Sequence, residues 1–375
     1  MSRGLLFFIQ FLLAALSILF LSHYFIYFSI VHFFSVTSTL RKVALASVLV
    51  LLPVSFIVSM AVQHRSDSFF STAFYFCSSM WLGVGLTLIV FFAAAWVVRG
   101  AARLFSQSPS PTLLGACALV LTILYSAYGI WNAFHPRTEY VTVKMANLPA
   151  GWQGRKAVQL SDVHLGRIFG ASFLEKLVEK ANAEEPSVVF ITGDLFDGRD
   201  GSLDQLVEPL NRLHAPLGIY FVTGNHETYL GADRAYAALA NTPVKILRDE
   251  MVVTDGLQII GIGYPERGNS KDLGAMISAI PGFDPRRASV LLYHSPAQPD
   301  RVKAAGIGLQ LAGHTHHGQI FPLQLATRMI YGRYYNGLHV DGSYSLYTSS
   351  GAGGWGPTMR TGNHPEITVI RFENM

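Results

Sequence analysis

"SVVFITGDLFDG", Ser187 to Gly198, sets the reading of the second half of this chain. Its apolar core is short, rich in β-branched residues and closed by Gly-Asp, the signature of a strand buried on both faces. The same device recurs on either side. "KAVQLSD" runs into Asp162, "GIYFVTGNHE" into Asn225 and His226, "SVLLYHS" into His294, and "IGLQLAGHTHHG" into His314, His316 and His317. Between the first strands lie helical patterns, "SFLEKLVEKANAEE" with Ser172 as its cap and "SLDQLVEPLNRLHA". "EYVTVKM" after Pro136 alternates as a strand should. Strand, polar tip, helix, repeated, predicts an α/β or mixed sandwich with helices covering the sheets. Ligands of such sheets sit at the carboxyl ends of strands, where these Asp, Asn and His residues collect.

The first half has a different solvent. The chain has 375 residues, 50% of them hydrophobic and 14% charged, with a formal charge of +4. A soluble chain carries about 25% charged residues, and the shortage falls between Met1 and Trp131. Four apolar runs, about 4–34, 43–63, 73–98 and 111–131, each reach the roughly 20 residues a bilayer requires. Charge flanks them: Arg41 and Lys42, Arg65 and Asp67, Arg99 and Arg103, then Arg137. Residues 1–135 therefore read as an all-α membrane region with about four spans, and 136–375 as the globular domain. No intramembrane acid or base stands out, so the membrane half reads as an anchor, with His23 and His32 near an interface. With four spans both termini share a side. Arg41, Lys42, Arg99 and Arg103 face Arg3, Arg65 and Arg137 across the membrane, and the positive-inside rule favours an extracytoplasmic domain in a bacterial inner or plasma membrane. There is no lysine-rich run or basic–aromatic alternation, so nucleic acid is not an expected partner. Both cysteines, Cys77 and Cys117, lie in apolar runs, and the globular part needs no disulfide.

Each polar tip alone is weak evidence, since Asp beside Gly is commonly a turn residue. Together they form a set of aspartates and imidazoles without a thiolate, which suits Zn, Mn or Fe. Seven or eight ligands exceed what one ion takes, and two divalent ions sharing a carboxylate fit the count. A metal pair activates water and clamps a phosphoryl group for in-line displacement. Asp-x-His and His-x-His at period two place both side chains on one face of extended chain. Glycine before the ligands (Gly193, Gly224, Gly313) permits close approach of backbone and substrate.

Asp162-x-His164, Gly193-Asp-x-x-Asp197, Gly224-Asn-His-Glu227, His294 and Gly313-His-Thr-His316 resemble, in this order, the calcineurin-like metallophosphoesterases. The likeness covers about 157–319, and "GHTHxGQ" with the terminal "PEITVIRF" looks most like a membrane-anchored bacterial branch and the transmembrane proteins with a metallophosphoesterase domain. The resemblance implies a four-layer sandwich of two mixed β-sheets flanked by helices. It implies one ion on Asp162, His164, Asp194 and His316, and a second on Asp194, Asn225, His294 and His314, with Asp194 bridging. His226 would face the phosphate, stabilising it or protonating the leaving group, and Asp197 would orient His226. Some relatives hydrolyse UDP-2,3-diacylglucosamine in lipid A synthesis, an amphiphilic substrate that suits an anchored enzyme, although that reaction is cytoplasmic.

The departures are few. His317 stands where the group often has glycine, and it either shapes the substrate mouth or is an exposed bystander. Arg360, before the terminal strand, is either a phosphate contact or a surface charge. Tyr334 and Tyr335 in "RYYNG" either meet lipid or pack in a hairpin. The leading reading is a membrane-anchored two-metal phosphoesterase acting on a phosphodiester or pyrophosphate, lipid-linked or not. The alternatives are a nucleotide or cell-envelope phosphodiesterase, and a non-enzymatic scaffold or sensor that retained the fold.

Overall fold

In the computed structural model, residues 3–63, 65–66, 68–197, 202–266 and 269–375 are described. Asp67, one of the charges flanking the second apolar run, lies outside them. The chain divides into two compact units, Met1–Ile130 with Gly356–Met359, and Trp131–Trp355 with Arg360–Met375.

The first unit is built on four helices: α1 (Arg3–Phe33), α2 (Thr39–Gln63), α3 (Phe69–Leu104) and α4 (Pro111–Ala133). All four are long and apolar enough to cross a membrane. Two polar pairs join α1 to α3. The Trp81 indole donates to His23 Nε2 at 3.0 Å, while His23 Nδ1 lies 2.8 Å from the Leu19 carbonyl. The Trp96 indole donates to Ser29 at 3.0 Å. Unpaired donors are costly in hydrocarbon, so such pairs hold helices together. His23 thus pairs with a neighbouring helix.

The second unit contains two six-stranded sheets. The strands are β1 (Arg137–Met145), β2 (Lys156–Leu160), β3 (Val188–Ile191), β4 (Ile219–Phe221), β5 (Val244–Ile246), β6 (Glu250–Thr254), β7 (Leu257–Gly261), β8 (Ser289–Leu292), β9 (Leu309–Ala312), β10 (Gly337–Asp341), β11 (Tyr344–Thr348) and β12 (Glu366–Asn374). The first sheet is ordered β1-β12-β2-β3-β4-β5 and the second β10-β11-β9-β8-β7-β6. β2 to β5 are parallel, as are β7, β8, β9 and β11, while β12 is antiparallel to β2 and the edges β6 and β10 pair antiparallel. Both sheets are therefore mixed.

Side-chain alternation in β3 explains the layers. Val188 and Phe190 point into the space between the sheets, meeting Val290, Leu292, Leu309 and Leu311. Val189 and Ile191 point outward onto Leu174, Leu177 and Val178 of helix Ala171–Ala183. Across the molecule, Ile260, Leu291 and Leu346 face Leu273, Ile277 and Val302 of the helices covering the second sheet. Helix, sheet, sheet, helix follows from period-two strands whose two faces are both apolar. Among the buried polar side chains on the strands, Gln159 donates to Thr192 Oγ1 and to the Ala312 carbonyl, each at 2.9 Å, tying the sheets together where their parallel strands end.

Two local expectations need correction. Ser172 does not cap its helix; Gly170 occupies the N-cap and makes no side-chain bond. The stretch from Ser202 is not one helix either. It is a short α-helix, Leu203–Val207, followed by a 3-10 turn, Glu208–Arg212, because Pro209 cannot supply a backbone donor.

The C-terminal strand β12 lies between β1 and β2, so the first sheet closes only when the last residues arrive. Phe372 on it is fully buried and meets the Trp152 ring edge-on at 5.4 Å. Phe372→Ala should cost about 3–5 kcal/mol, read as a lower melting temperature of the detergent-solubilised protein, whereas the exposed Val340→Ala should change stability by about 0.5 kcal/mol or less.

Candidate metal centre

Among the described residues, three groups of His and Asp converge: Asp162, His164 and His316; His164, Asp194 and His226; Asp194, His294 and His314. Every tip singled out in the sequence contributes. The tips meet because β2, β3, β4, β8 and β9 all run in the direction that brings their carboxyl ends to one edge of the sandwich.

The Asp194 carboxylate is divided between two tasks. Its Oδ1 accepts the His226 main-chain N–H at 2.8 Å. Its Oδ2 lies 3.1 Å from His294 Nε2 and 3.9 Å from His164 Nε2, between the two histidine groups. On one side His164 Nε2 and His316 Nε2 are 3.1 Å apart, and Asp162 Oδ1 is 3.3 Å from His316 Nε2. On the other, His314 Nδ1 lies 3.2 Å from His294 Nε2. Donors sharing one tetrahedral ion sit about 3.4 Å apart, so these separations suit two cations flanking Asp194. The buried Asn225 Oδ1 has no hydrogen-bond partner, which fits an oxygen ligand. The Asp, His and Asn donors, without a thiolate, fit divalent ions of the Mn, Fe or Zn kind.

Backbone geometry corrects the period-two argument. Asp162 and His164 have φ 52°, Asp194 φ 49°, His314 φ 71°, and His316 and His317 φ 48°. None of these pairs lies on one face of extended chain. The strands have ended, and left-handed turns aim the rings, at a cost of about 1–3 kcal/mol per residue that the surrounding packing must offset. Two glycines make the convergence sterically possible: a Cβ on Gly224 would overlap the Asp194 carboxylate, and one on Gly313 would overlap Asp162 and Ser161.

Ring orientation is set from behind. His294 Nδ1 lies 2.8 Å from the Thr192 carbonyl, which leaves Nε2 to face Asp194. His226 Nδ1 lies 2.9 Å from the Asp197 main-chain carbonyl, which leaves its Nε2 for the site. The resemblance implies that Asp197 orients His226, and the ordinary group for that task is its carboxylate. That carboxylate is 3.6 Å from His226 Nδ1 and 3.4 Å from His164 Nδ1, and the carbonyl makes the hydrogen bond instead.

Burial and charge keep the imidazoles distinct. Burial and then the charge on His294 hold His314 down at about 3, and burial, His164 and Arg360 hold His316 well below the ordinary histidine value. Both stay neutral, the form that binds metal. Burial opposes charge on Asp194 and His294, but their mutual attraction prevails, lowering the carboxyl and raising the imidazole.

Arg360 is neither a phosphate contact nor a surface charge. It is fully buried, its guanidinium donates to the Gly353 carbonyl, and Nη2 lies 3.2 Å from His316 Nδ1. It packs against the back of a candidate ligand, because the loop before β12 folds under the histidine turn. His317 points away from the cluster and meets the Tyr335 ring edge-on at 5.2 Å. Tyr334 packs against His339, 5.5 Å between centroids.

One residue had no role assigned from the sequence. Glu227, fully buried, accepts main-chain N–H groups of Gly224 at 2.7 Å, Asp194 at 2.9 Å and Phe196 at 3.0 Å. Burial, with the neighbouring Asp194 charge, raises its carboxyl to about 7 against those bonds. A capping-box pattern would have flagged it, but the cap position is Gly224, which has no side chain to complete the signature.

The family model described as "Calcineurin-like phosphoesterase" matches residues 155–318. The "Transmembrane protein with metallophosphoesterase domain" of Bos taurus is 31% identical over 363 residues, 88% of this chain and 80% of that one. An uncharacterized metallophosphoesterase of Campylobacter jejuni is 33% identical over 261 residues, 68% of each chain. A dimetal phosphatase from Danio rerio, solved by crystallography, is 14% identical, covers 53% of this chain and 88% of its own, and has a TM-score of 0.34. The likeness thus spans a mammalian and a bacterial chain, not a bacterial branch alone. With four apolar helices beside it, the transmembrane relative marks this chain as membrane-associated.

Metal analysis of the detergent-solubilised chain equilibrated with Mn²⁺ should give two equivalents, with Asp194→Ala losing both and His317→Gly keeping both. Glu227→Ala should lower stability by about 3 kcal/mol or more, since three buried donors each cost about 1–3 kcal/mol when left unpaired; a thermal melt reads this directly.

Proposed function

The chain belongs to the calcineurin-like phosphoesterase family, and from that premise we propose that it is a membrane-anchored, two-metal hydrolase of phosphodiester or pyrophosphate bonds. The observation that carries this reading is Asp194 Oδ2, placed between His294 and His164, which belong to different groups of converging Asp and His donors. Asp162, His164, Asp194 and His316 would hold one ion, and Asp194, Asn225, His294 and His314 the other. When bound, such a pair supplies Lewis acidity and positive charge that activate water and offset charge on the phosphoryl oxygens.

The remaining work falls to the protein. His226, with Nδ1 committed to the Asp197 carbonyl, presents Nε2 as its one free edge. A protonated His226 can donate from Nε2 to a phosphoryl oxygen or leaving group, and a neutral one can accept, so its tautomer is selected before substrate arrives. Asp197 acts as a positioning residue through its main chain. Glu227 holds the Asp194 and Gly224 loops in register, and Arg360 holds the His316 ring from behind.

An anchored enzyme suits an amphiphilic phosphorylated substrate, with the bilayer as its partner. The four cationic residues at the helix ends flanking the two short loops on one side, against three on the other, support an extracytoplasmic domain. That placement disfavours UDP-2,3-diacylglucosamine, whose hydrolysis is cytoplasmic, and favours a cell-envelope phosphoester. A scaffold that merely retained the fold would be free to lose ligands, and the sequence keeps an Asp, His or Asn at every expected ligand position, which supports the enzyme reading.

The full-length protein in detergent should hydrolyse bis-p-nitrophenyl phosphate with added Mn²⁺ and not after chelation. His226→Ala should lower kcat by about 10²–10⁴. Asp197→Asn, which keeps the main-chain carbonyl, should cost less than about tenfold. Turnover indifferent to both chelation and Asp194→Ala would exclude the proposal.

A further inference from the structure

Beside the histidine turn the globular unit carries an apolar surface that its own core does not use. Helix Leu323–Tyr331, "LQLATRMIY", has no buried residue. Met329 is 86% exposed, Ile330 73% and Leu325 64%, and Leu323 and the preceding Phe321 are 44% exposed. Isolated apolar side chains on a surface need no explanation, but five large ones within ten residues form a patch of the kind that marks a binding face. Arg328 is exposed on the same helix. An exposed apolar face bordered by a cation is the composition of a helix lying in a lipid interface.

A nine-residue helix is not stable by itself, so the fold must hold this one. Its first turn is tied by Leu323 N–H to the Ile320 carbonyl at 2.8 Å and Leu325 N–H to the Pro322 carbonyl at 3.0 Å. Its last residue, Tyr331, meets His314 edge-on with 6.0 Å between centroids, and Thr315 Oγ1 donates to the Tyr335 carbonyl just beyond at 2.7 Å. One end of the helix is thus attached to a candidate metal ligand while its apolar side chains remain outside.

The connectivity of the chain says what covers it. α4 ends at Ala133 and β1 begins at Arg137. Only Phe134, His135 and Pro136 intervene, a tether of roughly 10 Å at most. A unit so tethered to membrane-spanning helices never leaves the lipid surface, and that surface is the apolar phase it meets continuously. We propose that helix Leu323–Tyr331 is an interfacial docking element that rests on the bilayer and admits an acyl-bearing phosphoester to the adjoining metal centre. Its first half stands on the exposed helix and the tether. Its second half rests on the phosphoesterase reading and narrows the substrate to lipids whose phosphate lies at the headgroup level, with the acyl chain left along Leu325 and Met329.

The test uses the full chain in nanodiscs of mixed phosphatidylcholine and phosphatidylglycerol. With Cys77 and Cys117 replaced by serine, a fluorophore is placed through Ile330→Cys or, as a control, through Lys180→Cys on an exposed helix position. Brominated lipids should quench the label at position 330 at least twofold more than at 180. Equal quenching overturns docking, and a label at 330 shielded only when two chains share a disc would assign the face to a second copy instead. For the substrate, the exposed pair Leu325→Gln and Met329→Gln should leave bis-p-nitrophenyl phosphate turnover within twofold of wild type. The same pair should slow hydrolysis of bilayer-embedded hexadecyl p-nitrophenyl phosphate tenfold or more. Equal rates on the lipid ester for variant and wild type overturn the substrate assignment. Failure of the wild type on both esters ends the phosphoesterase reading, with docking still decided by the quenching.

Discussion

The site is organised around one buried carboxylate. Asp194 sits at the end of β3, its Oδ1 engaged by the His226 main chain and its Oδ2 facing His294 and His164. Left uncompensated, a charge there would be expelled or protonated, because burial strongly opposes ionisation. The surrounding imidazoles stabilise it, and its charge in turn raises His294, whose proton a bound cation would displace. Neutral His314 and His316 complete a pocket in which the charges nearly balance and the remaining lone pairs converge. Such an arrangement is poised for cations.

Around that carboxylate the protein spends backbone strain and steric tolerance. Positive φ angles at Asp162, His164, Asp194, His314 and His316 are unfavourable singly, yet they cluster at one edge of the sandwich. The supporting bonds come from outside the ligand set. Glu227 gathers three main-chain donors from two loops, Thr192 and Asp197 offer carbonyls, and Gln159 joins the two sheets directly beneath. Arg360, from the far end of the chain, closes the back of His316. The candidate metal ligands are thus positioned by groups whose chemistry would not advertise them as functional.

The membrane unit and the globular unit solve different solvent problems. In the helices, Trp81 pairs with His23 and Trp96 with Ser29. In the sandwich, water is excluded by apolar strands on both faces, and the exposed helix Leu323–Tyr331 is the departure from that rule.

Composition and pattern alone determined the four apolar helices, the strand-and-tip rhythm and the set of Asp, Asn and His residues that converge. These are properties of local periodicity and residue type, which the chain carries without reference to its fold. "SVVFITGD" announced a doubly buried strand because both of its faces are apolar, and the structure packs one against a sheet and the other against a helix. Tertiary structure decided what period-two reasoning could not: that Asp162 and His164, or His314 and His316, leave the extended conformation to reach the site. It also decided that Asp197 meets His226 Nδ1 through its main-chain carbonyl, that Glu227 ties two loops, and that Arg360 is buried behind His316. Each of these depends on segments distant in sequence meeting in space, and a contact made only on folding leaves no periodic trace in the chain that makes it.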